Sequence, residues 1–491
     1  MKKQLLLLIL ILIPLINFSQ VQIGQDIDGE FLADESGFAV SLSSNGKFLA
    51  ISSIDNPGNG VSSGHVRVYE NLNGVWIQVG QDIDGEAAGD WSGFSISLSS
   101  SGNVLAIGAV RNSGNGLLSG HARVFENVSG VWTQIGQDID GENTDDQFGY
   151  AVSLSSNGNT LAVSSTRNFG NGAYSGHARV FENVNGVWTQ IGQDIDGENS
   201  NDQSGYSLDL SSDGTKIAIG AFKNDGNGMD SGHVRVYENI NGVWTQIGQD
   251  IDGELANDFF GRSLSISSDG NTIAVGATQN DDNGMDSGHV RVYENVNGVW
   301  TQIGQDIDGE AAVDISGYSI SLSSDGSIIA IGAPLNDDNG VDSGHTRVYK
   351  NISGIWTQIG QDIDGEAADD RSGYSVSLSS NGETLAVGAI GNDGNLINSG
   401  HVRVYDLSES LTIQDQVILD FNLYPNPART HFTIQMKNNS ELNSISIYNY
   451  LGQLVLTSEE RMIDTTELAS GLYIVEVETT KGKSTKKLII K

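Results

Sequence analysis

The chain has 491 residues, 62 glycines, no cysteine and a formal net charge of −37 at pH 7. Without Cys there is no disulfide and no lipoprotein acylation site. So acidic a surface repels nucleic acid and anionic membrane, and it favours cations and basic partners.

Residues 1–20 have the layout of a secretory signal: Lys2-Lys3, an apolar run from Leu5 to Ile16 broken by Pro14, then polar Asn17 to Gln20. The run is too short for a comfortable membrane span. No later segment reads as a transmembrane helix, so the mature chain is expected to have no membrane span.

From residue 21 the sequence repeats. Trp-Thr-Gln-Ile-Gly-Gln-Asp-Ile-Asp-Gly-Glu starts at Trp132 and returns at Trp188, Trp244, Trp300 and Trp356; a variant starts at Trp76, and a copy without its Trp at Val21. Gly-His-x-Arg-Val-Tyr/Phe occurs seven times, with His65, His121, His177, His233, His289, His345 and His401. The spacing is 56 residues throughout, which is the mark of a repeat architecture.

Within one unit, Ser263–Ser267 alternates apolar and small polar residues, as a strand does. Ser268-Asp269-Gly270-Asn271 is a tight turn, because Asp-Gly supplies the positive φ that a hairpin needs. Thr272–Ala277 reads as a buried strand. A Gly/Asn/Asp loop follows, then strand His289–Tyr293, the turn at Asn297-Gly298 and strand Val299–Gly304. Asp306 to Glu310 leads into the next unit. Four antiparallel strands, A to D from inside out, repeated seven times without a helical pattern, predict a seven-bladed β-propeller.

The last unit has strands A, B and C but no D, and the first D-type segment, Val21–Gly24, has no blade of its own. Placing it on the last blade closes the ring and leaves no open edge there. The fold class expected is all-β: a seven-bladed β-propeller with N-terminal strand closure over 21–407, a linker at 408–420 and a small β-sandwich domain over 421–491. In such a ring the D→A and B→C connections share one face. That face receives the long acidic segments, so ligand or cation contact is expected there.

The units resemble a known repeat. Phe148-Gly149 and Phe260-Gly261 before strand A, Gly332-Ala333-Pro334 after strand B, and Gly-x-x-x-Val-Tyr in strand C are similar to the FG-GAP repeat of integrin-α-like propellers. The resemblance implies an extracellular adhesion or recognition module. Calcium-binding members use an Asp-rich A→B loop. Here that loop is only Ser-Ser-Asp/Asn-Gly, too short and too poor in carboxylates for a cage of six to eight oxygens.

The tail, from Asn422-Leu423-Tyr424-Pro425-Asn426-Pro427 through Asn449-x-x-Gly452-Gln453 to Lys486–Lys491, resembles the C-terminal type A sorting domain of the type IX secretion system of Bacteroidetes. It is read as β, with strands at Ile445–Asn449, Leu451–Val455 and Gly471–Val477. The resemblance implies the type IX machinery as a partner. It also implies a secreted or outer-membrane-attached surface protein once the signal and the sorting domain are removed.

Features present in every blade are expected to serve the blade. The His and Arg of His-x-Arg share a strand face, and the Arg is expected to bridge to a neighbouring carboxylate or loop carbonyl. The D-strand Trp is expected to pack at the outer sheet edge. The Asp-x-Asp-Gly-Glu-x-x-x-Asp carboxylates are expected to cap turns and pair with Arg. Calcium is the candidate cofactor, at the B→C carboxylates Asp281, Asp282 and Asp286 and at Asp337, Asp338 and Asp342; Asp225 and Asp230 form a smaller set.

Recognition is expected where the symmetry breaks. One D→A position reads Glu35, Trp91, Gln147, Gln203, Phe259, Ile315 and Arg371 around the ring. Trp91, Phe259, Ile315 and Arg371 are the candidate ligand-binding residues, against the alternative that they tuck under neighbouring loops. No nucleophile motif, phosphate loop or HExxH motif is present. Non-catalytic binding of an extracellular protein or glycan is therefore expected, with a polysaccharide lyase or hydrolase, or a structural coat protein, as alternatives.

Overall fold

A computed structural model describes residues 20–411, 421–436, 442–449, 453–458, 460–466, 468–479 and 482–491. The signal segment, except Gln20, lies outside the described residues, as do linker residues 412–420 and Leu451-Gly452 of the tail motif. The chain divides into two compact units, the first ending at Leu411 and the second running from Thr412 to Lys491.

The first unit is the expected propeller. Blade 2 is typical: strand A is Ser92–Leu98, B is Val104–Ala109, C is His121–Val128 and D is Val131–Gln134, in the order A-B-C-D. Ser129 and Gly130 both take positive φ (54° and 86°) to turn C into D, the hairpin geometry that matches strand twist. The Asp-Ile-Asp segment is more than a connection. Ile139–Asp140 forms a fifth, two-residue strand that pairs with the start of strand C, His121 opposite Asp140. Strand C is long enough to carry both halves of an interrupted outer strand, and this recurs in every blade.

Ring closure is as expected. Val21 pairs with Asp406 and Gln22 with Tyr405, while Ile27 pairs with Val402 and Asp28 with His401, so the N-terminal segment completes blade 7. A second closure was not legible beforehand. The Ser44 amide donates to the Ser100 carbonyl at 3.1 Å, Ser100 to Ser156, Ser156 to Ser212, Ser212 to Ser268, Ser268 to Ser324, Ser324 to Ser380, and Ser380 back to Ser44 at 2.9 Å. The main-chain circle is unbroken. Deeper in the channel each strand A offers a side chain to the next blade: the Leu98 amide donates to Ser41 Oγ, Leu154 to Ser97 and Leu210 to Ser153. In blade 4 this column has Asp209 instead of Ser, and Asp209 accepts from the Ile266 amide (3.0 Å) and the Ser153 hydroxyl (2.9 Å). Innermost strands thus satisfy edge groups that water would otherwise have to serve.

The repeated Trp does not sit at an outer edge. It is 3–4 % exposed and lies between blades, its indole donating to the preceding blade: Trp132 Nε1 to the Val79 carbonyl and Trp188 Nε1 to Ile135, both 2.9 Å. Gln81 and Gln137 answer with amides to the Trp132 and Trp188 carbonyls. The glycine after each D strand makes room, since a Cβ on Gly80 would lie 2.8 Å from Trp132 Cδ1. Where the motif has no Trp, Gln20 takes its place against Gly360 and donates to the Gln361 carbonyl at 2.7 Å.

After strand C of blade 7, Ser408–Leu411 form one helical turn; Leu407 is fully buried and Leu411 packs against the core of the last blade, so these residues belong to the propeller body. The second unit is a β-sandwich. One sheet orders Phe421–Tyr424, His431–Met436 and Met462–Asp464; the other orders Leu454–Ser458, Leu442–Asn449, Gly471–Thr479 and Gly482–Ile490. Phe421, Phe432, Ile445, Ile447, Val475 and Leu488 fill its core. Its second predicted strand begins at Leu454, because Gln453 is taken up by the hairpin, its amide donating to Asn449 Oδ1 at 3.0 Å. Asn426 grips the terminal strand on both sides, giving a hydrogen bond to the Lys487 carbonyl and taking one from the Ile489 amide.

Candidate ligand site at the channel mouth

The B→C loop of each blade meets the D→A segment entering the next through parallel bridges such as Gly120 to Phe148 and Gly344 to Ser372, which puts these connections on one face as expected. Their repeated polar residues are structural. Arg123 Nη2 donates to the Asp84 carbonyl at 2.8 Å and Arg347 Nη2 to Asp308 at 2.7 Å; Arg347 also lies 3.5 Å from Glu310. Each buried Asp of the D→A turn caps it, as Asp90 does for the Ala87 amide at 3.0 Å, and six of the seven also accept from a buried Asn of the B→C loop. The seven histidines are 0–1 % exposed; burial first and the adjacent Arg second lower each from 6.5 to about 4. They are neutral imidazoles at pH 7.

The variable D→A position has the same geometry in all seven blades. Every residue there, from Glu35 (φ 54°) through Trp91 (55°) to Arg371 (55°), is held in the left-handed region without being glycine. Such a backbone persists only where surrounding contacts fix it. Three residues on, at the channel end of strand A, comes a second column: Phe38, Phe94, Tyr150, Tyr206, Arg262, Tyr318 and Tyr374. These side chains form a closed collar across the channel. Phe38 and Phe94 centroids lie 5.3 Å apart, Phe94 and Tyr150 4.9 Å, Tyr150 and Tyr206 5.0 Å, Tyr318 and Tyr374 4.9 Å, and Tyr374 and Phe38 5.4 Å. Arg262 fills the remaining place, its guanidinium 5.9 Å from the Tyr206 ring centre and 5.0 Å from that of Tyr318.

Above the collar lies a bowl of about 590 Å³, walled by Glu35, Ile54, Asp55, Trp91 and the collar itself. Below it a second cavity of about 320 Å³ runs along the inner strands. Trp91 is half-buried at the wall, parallel to Phe94, and the Arg111 guanidinium stacks 3.1 Å from its ring centre. Burial and then Asp55 raise the Glu35 carboxyl, with Arg371 acting the other way. Arg371, exposed, lines an adjoining recess of about 300 Å³ with Glu35 and Asp369.

Of the four expected ligand residues, the structure therefore puts Trp91 at the bowl and Arg371 beside it. Phe259 packs edge-on against Phe222 (5.2 Å), and Ile315 is half-buried but does not line the bowl. The expected calcium residues divide as well. Asp281 Oδ1 accepts the Asp286 amide at 2.8 Å and Asp337 Oδ1 the Asp342 amide at 2.9 Å, which are loop caps. Asp282 and Asp338 instead face His289 and Glu310/His345 respectively.

Two features of the mouth were missed. The collar is a period-56 aromatic column visible in the sequence but masked by the glycine beside it. The second feature is charge. Residues 21–407 hold fifteen Lys and Arg, seven of them the strand C arginines; of the other eight, Arg111, Arg167, Lys223, Arg262 and Arg371 all lie in the mouth columns.

The FG-GAP repeat family matches residues 251–293 and 363–405, and the secretion system C-terminal sorting domain family matches residues 422–491. The chain carries FG-GAP repeats and a type IX sorting domain. The sorting domain assigns this FG-GAP propeller to secretion and the outer-membrane surface through the type IX machinery. Among the described residues no helix is long and apolar enough to cross a membrane. Among curated proteins, β-agarase A of Zobellia galactanivorans is 35 % identical over 86 residues, which is 17 % of this chain and only 15 % of the agarase. Among solved structures, the Swd1 β-propeller domain of Myceliophteria thermophila aligns over 79 % of this chain and 99 % of its own, at 11 % identity and TM-score 0.46. The periplasmic gluconolactonase of Pseudomonas aeruginosa aligns over 67 % and 85 %, at 16 % identity and TM-score 0.43.

Proposed function

We propose that this secreted FG-GAP propeller is a non-catalytic recognition protein that binds an anionic saccharide in the bowl at the channel mouth. The observation that supports it is where the cations lie: on a strongly acidic chain, five of the eight Lys and Arg outside the repeat pattern collect in the columns of the mouth, around an aromatic floor. Aromatic faces and guanidinium groups together suit sugar rings that carry carboxylate or sulfate. A bowl of about 590 Å³ has the size of a small-ligand pocket. The short likeness to the agarase spans too little of either chain to name a substrate.

The test is binding of the chain to neutral, carboxylated and sulfated oligosaccharides by array and then calorimetry. Binding restricted to anionic saccharides, weakened by salt and by Arg111→Ala, is the expected result. Binding to neutral sugars alone, or binding indifferent to both salt and Arg111→Ala, overturns it.

A second reading rests on Glu35 and Asp55, two carboxylates in the same bowl, one of them raised by burial and by its neighbour. That pairing suits a saccharide-cleaving site with Glu35 as the proton donor. Cleavage of a bound saccharide that Glu35→Gln abolishes would establish it in place of simple binding.

A further inference from the structure

We propose that the acidic loops of blades 5 and 6 each hold one divalent cation of the Mn²⁺/Zn²⁺ kind, through Asp282, His289, Asp306 and Asp308 in one and Glu310, Asp338, His345 and Asp362 in the other. In each set, one ligand atom per residue lies within 4.8 Å of all the others. The remaining blades lack this fourth donor. At the loop position of Asp282 and Asp338 they carry Gly58, Gly114, Gly170, Gly226 and Gly394, and groups such as Glu30, His65 and Asp82 offer three donors only.

The imidazoles point to a ligand independently of the carboxylates. His289 and His345 are 1 % and 0 % exposed, and the buried Nδ1 of each has no hydrogen-bond partner. Nδ1 of His289 lies 3.9 Å from Asp282 Oδ2, and that of His345 3.8 Å from Glu310 Oε2. Those gaps are too long for a hydrogen bond. They match the roughly 3–4 Å that separates two ligands of one ion at metal–ligand bonds of about 2.1 Å. In blades 1, 3, 4 and 7 the unpartnered buried ring atom is Nε2, and in His345 of blade 6 both ring nitrogens lack a partner. A buried, unsatisfied nitrogen costs free energy that a metal bond would recover.

Arg291 faces the blade 5 set on Asp306, with Arg347 on the Asp308 side, and Arg347 faces the blade 6 set on Glu310; in neither set do the guanidinium groups offset three carboxylates. Asp282 and Asp338 are exposed, so an ion has a path in from solvent. One imidazole with three carboxylates suits Mn²⁺ or Zn²⁺. Calcium prefers six to eight oxygens and no nitrogen.

The experiment is calorimetric titration of the full chain, stripped with chelator, with MnCl₂, ZnCl₂ and CaCl₂ in turn, and counting of bound Mn²⁺ by electron paramagnetic resonance. Two equivalents of Mn²⁺ or Zn²⁺, bound more tightly than Ca²⁺, are expected. Asp282→Gly and Asp338→Gly should each remove one equivalent and the pair both, with the melting temperature of the stripped protein unchanged because five blades already use glycine there. Asp282→Asn with Asp338→Asn keeps the loop side chain and should weaken both sites likewise. No bound equivalents, two equivalents retained in both double variants, or a preference for Ca²⁺ overturns the assignment.

Discussion

Removing residues 20–25 should cost the propeller most of its margin of stability. Besides the ladder pairing of Val21 and Gln22 with strand C of blade 7, the hydrogen bonds lost include five: the Ile23 amide to Val404, the Trp76 indole to Ile23, Gln25 Nε2 to the Trp76 carbonyl, and the two that join Gln20 to Gln361. At a net contribution of ~1 kcal/mol each these sum to ~5 kcal/mol. Ile23, which packs on the core between blades 7 and 1, adds ~1–2 kcal/mol of apolar burial. The loss of ~6 kcal/mol falls within the 5–15 kcal/mol that single domains have in total. For a propeller of this length the unfolding entropy is on the order of 0.8 kcal/mol/K, so the midpoint should fall by ~7 °C. Scanning calorimetry of the intact and shortened chains measures this directly. A synthetic peptide of residues 20–28, added in excess, should restore part of the shift by re-forming the outer strand. A shift below ~2 °C, or no response to the peptide, would mean that the serine circle and the blade cores hold the ring without its clasp.

Two further outcomes follow from buried titrating groups. Burial raises the Asp209 carboxyl despite its hydrogen bonds to Ile266, Ser153 and Leu210, so its contribution is most favourable in acid and is lost as pH rises through the folded-state value. Asp209→Ser, the residue of the other six blades, should therefore stabilise the protein by ~1–2 kcal/mol at pH 7 and by less at pH 4, read from urea midpoints; equal effects at both would refute it. The seven buried histidines act in the opposite sense: lowered from 6.5 to about 4, they support the fold above pH 6.5, and that support is lost as pH falls towards 4. Each is worth ~1 kcal/mol at pH 5.5, so the urea midpoint should be clearly lower at pH 5.5 than at 7.5, and an equal or higher midpoint would contradict it.

The blade was legible because its signals are local and repeated. Ser-Asn/Asp-Gly and Asn-Gly turns delimit strands of alternating or wholly apolar residues, and seven copies fix the count. The clasp could be read for the same reason, since a D strand without a blade has only one place to go. Side-chain roles across blades were less accessible. Trp132 looks like a sheet-edge aromatic in its own strand, and only the ring places its indole on the Val79 carbonyl of the preceding blade. Phe94 and Tyr150 look like core residues of strand A, yet they stand at its channel end and close the channel. Asp281 and Asp282 are adjacent and chemically alike; loop conformation alone turns one to cap Asp286 and the other towards His289. The search for broken symmetry led to the rim where Trp91 lines the bowl, while two further exceptions, Arg262 and Arg111, lay in columns three residues after it and just after strand B.

If repetition builds the ring and its exceptions read the ligand, exchanging exceptions for repeat residues should separate the two properties. The direct measurement is anionic-saccharide affinity and melting temperature of Trp91→Gln combined with Arg262→Tyr, each replacement being the residue found at that position in other blades. The predicted result is a melting temperature within a few degrees of the parent and no measurable saccharide binding. A variant that binds as the parent does would contradict the account.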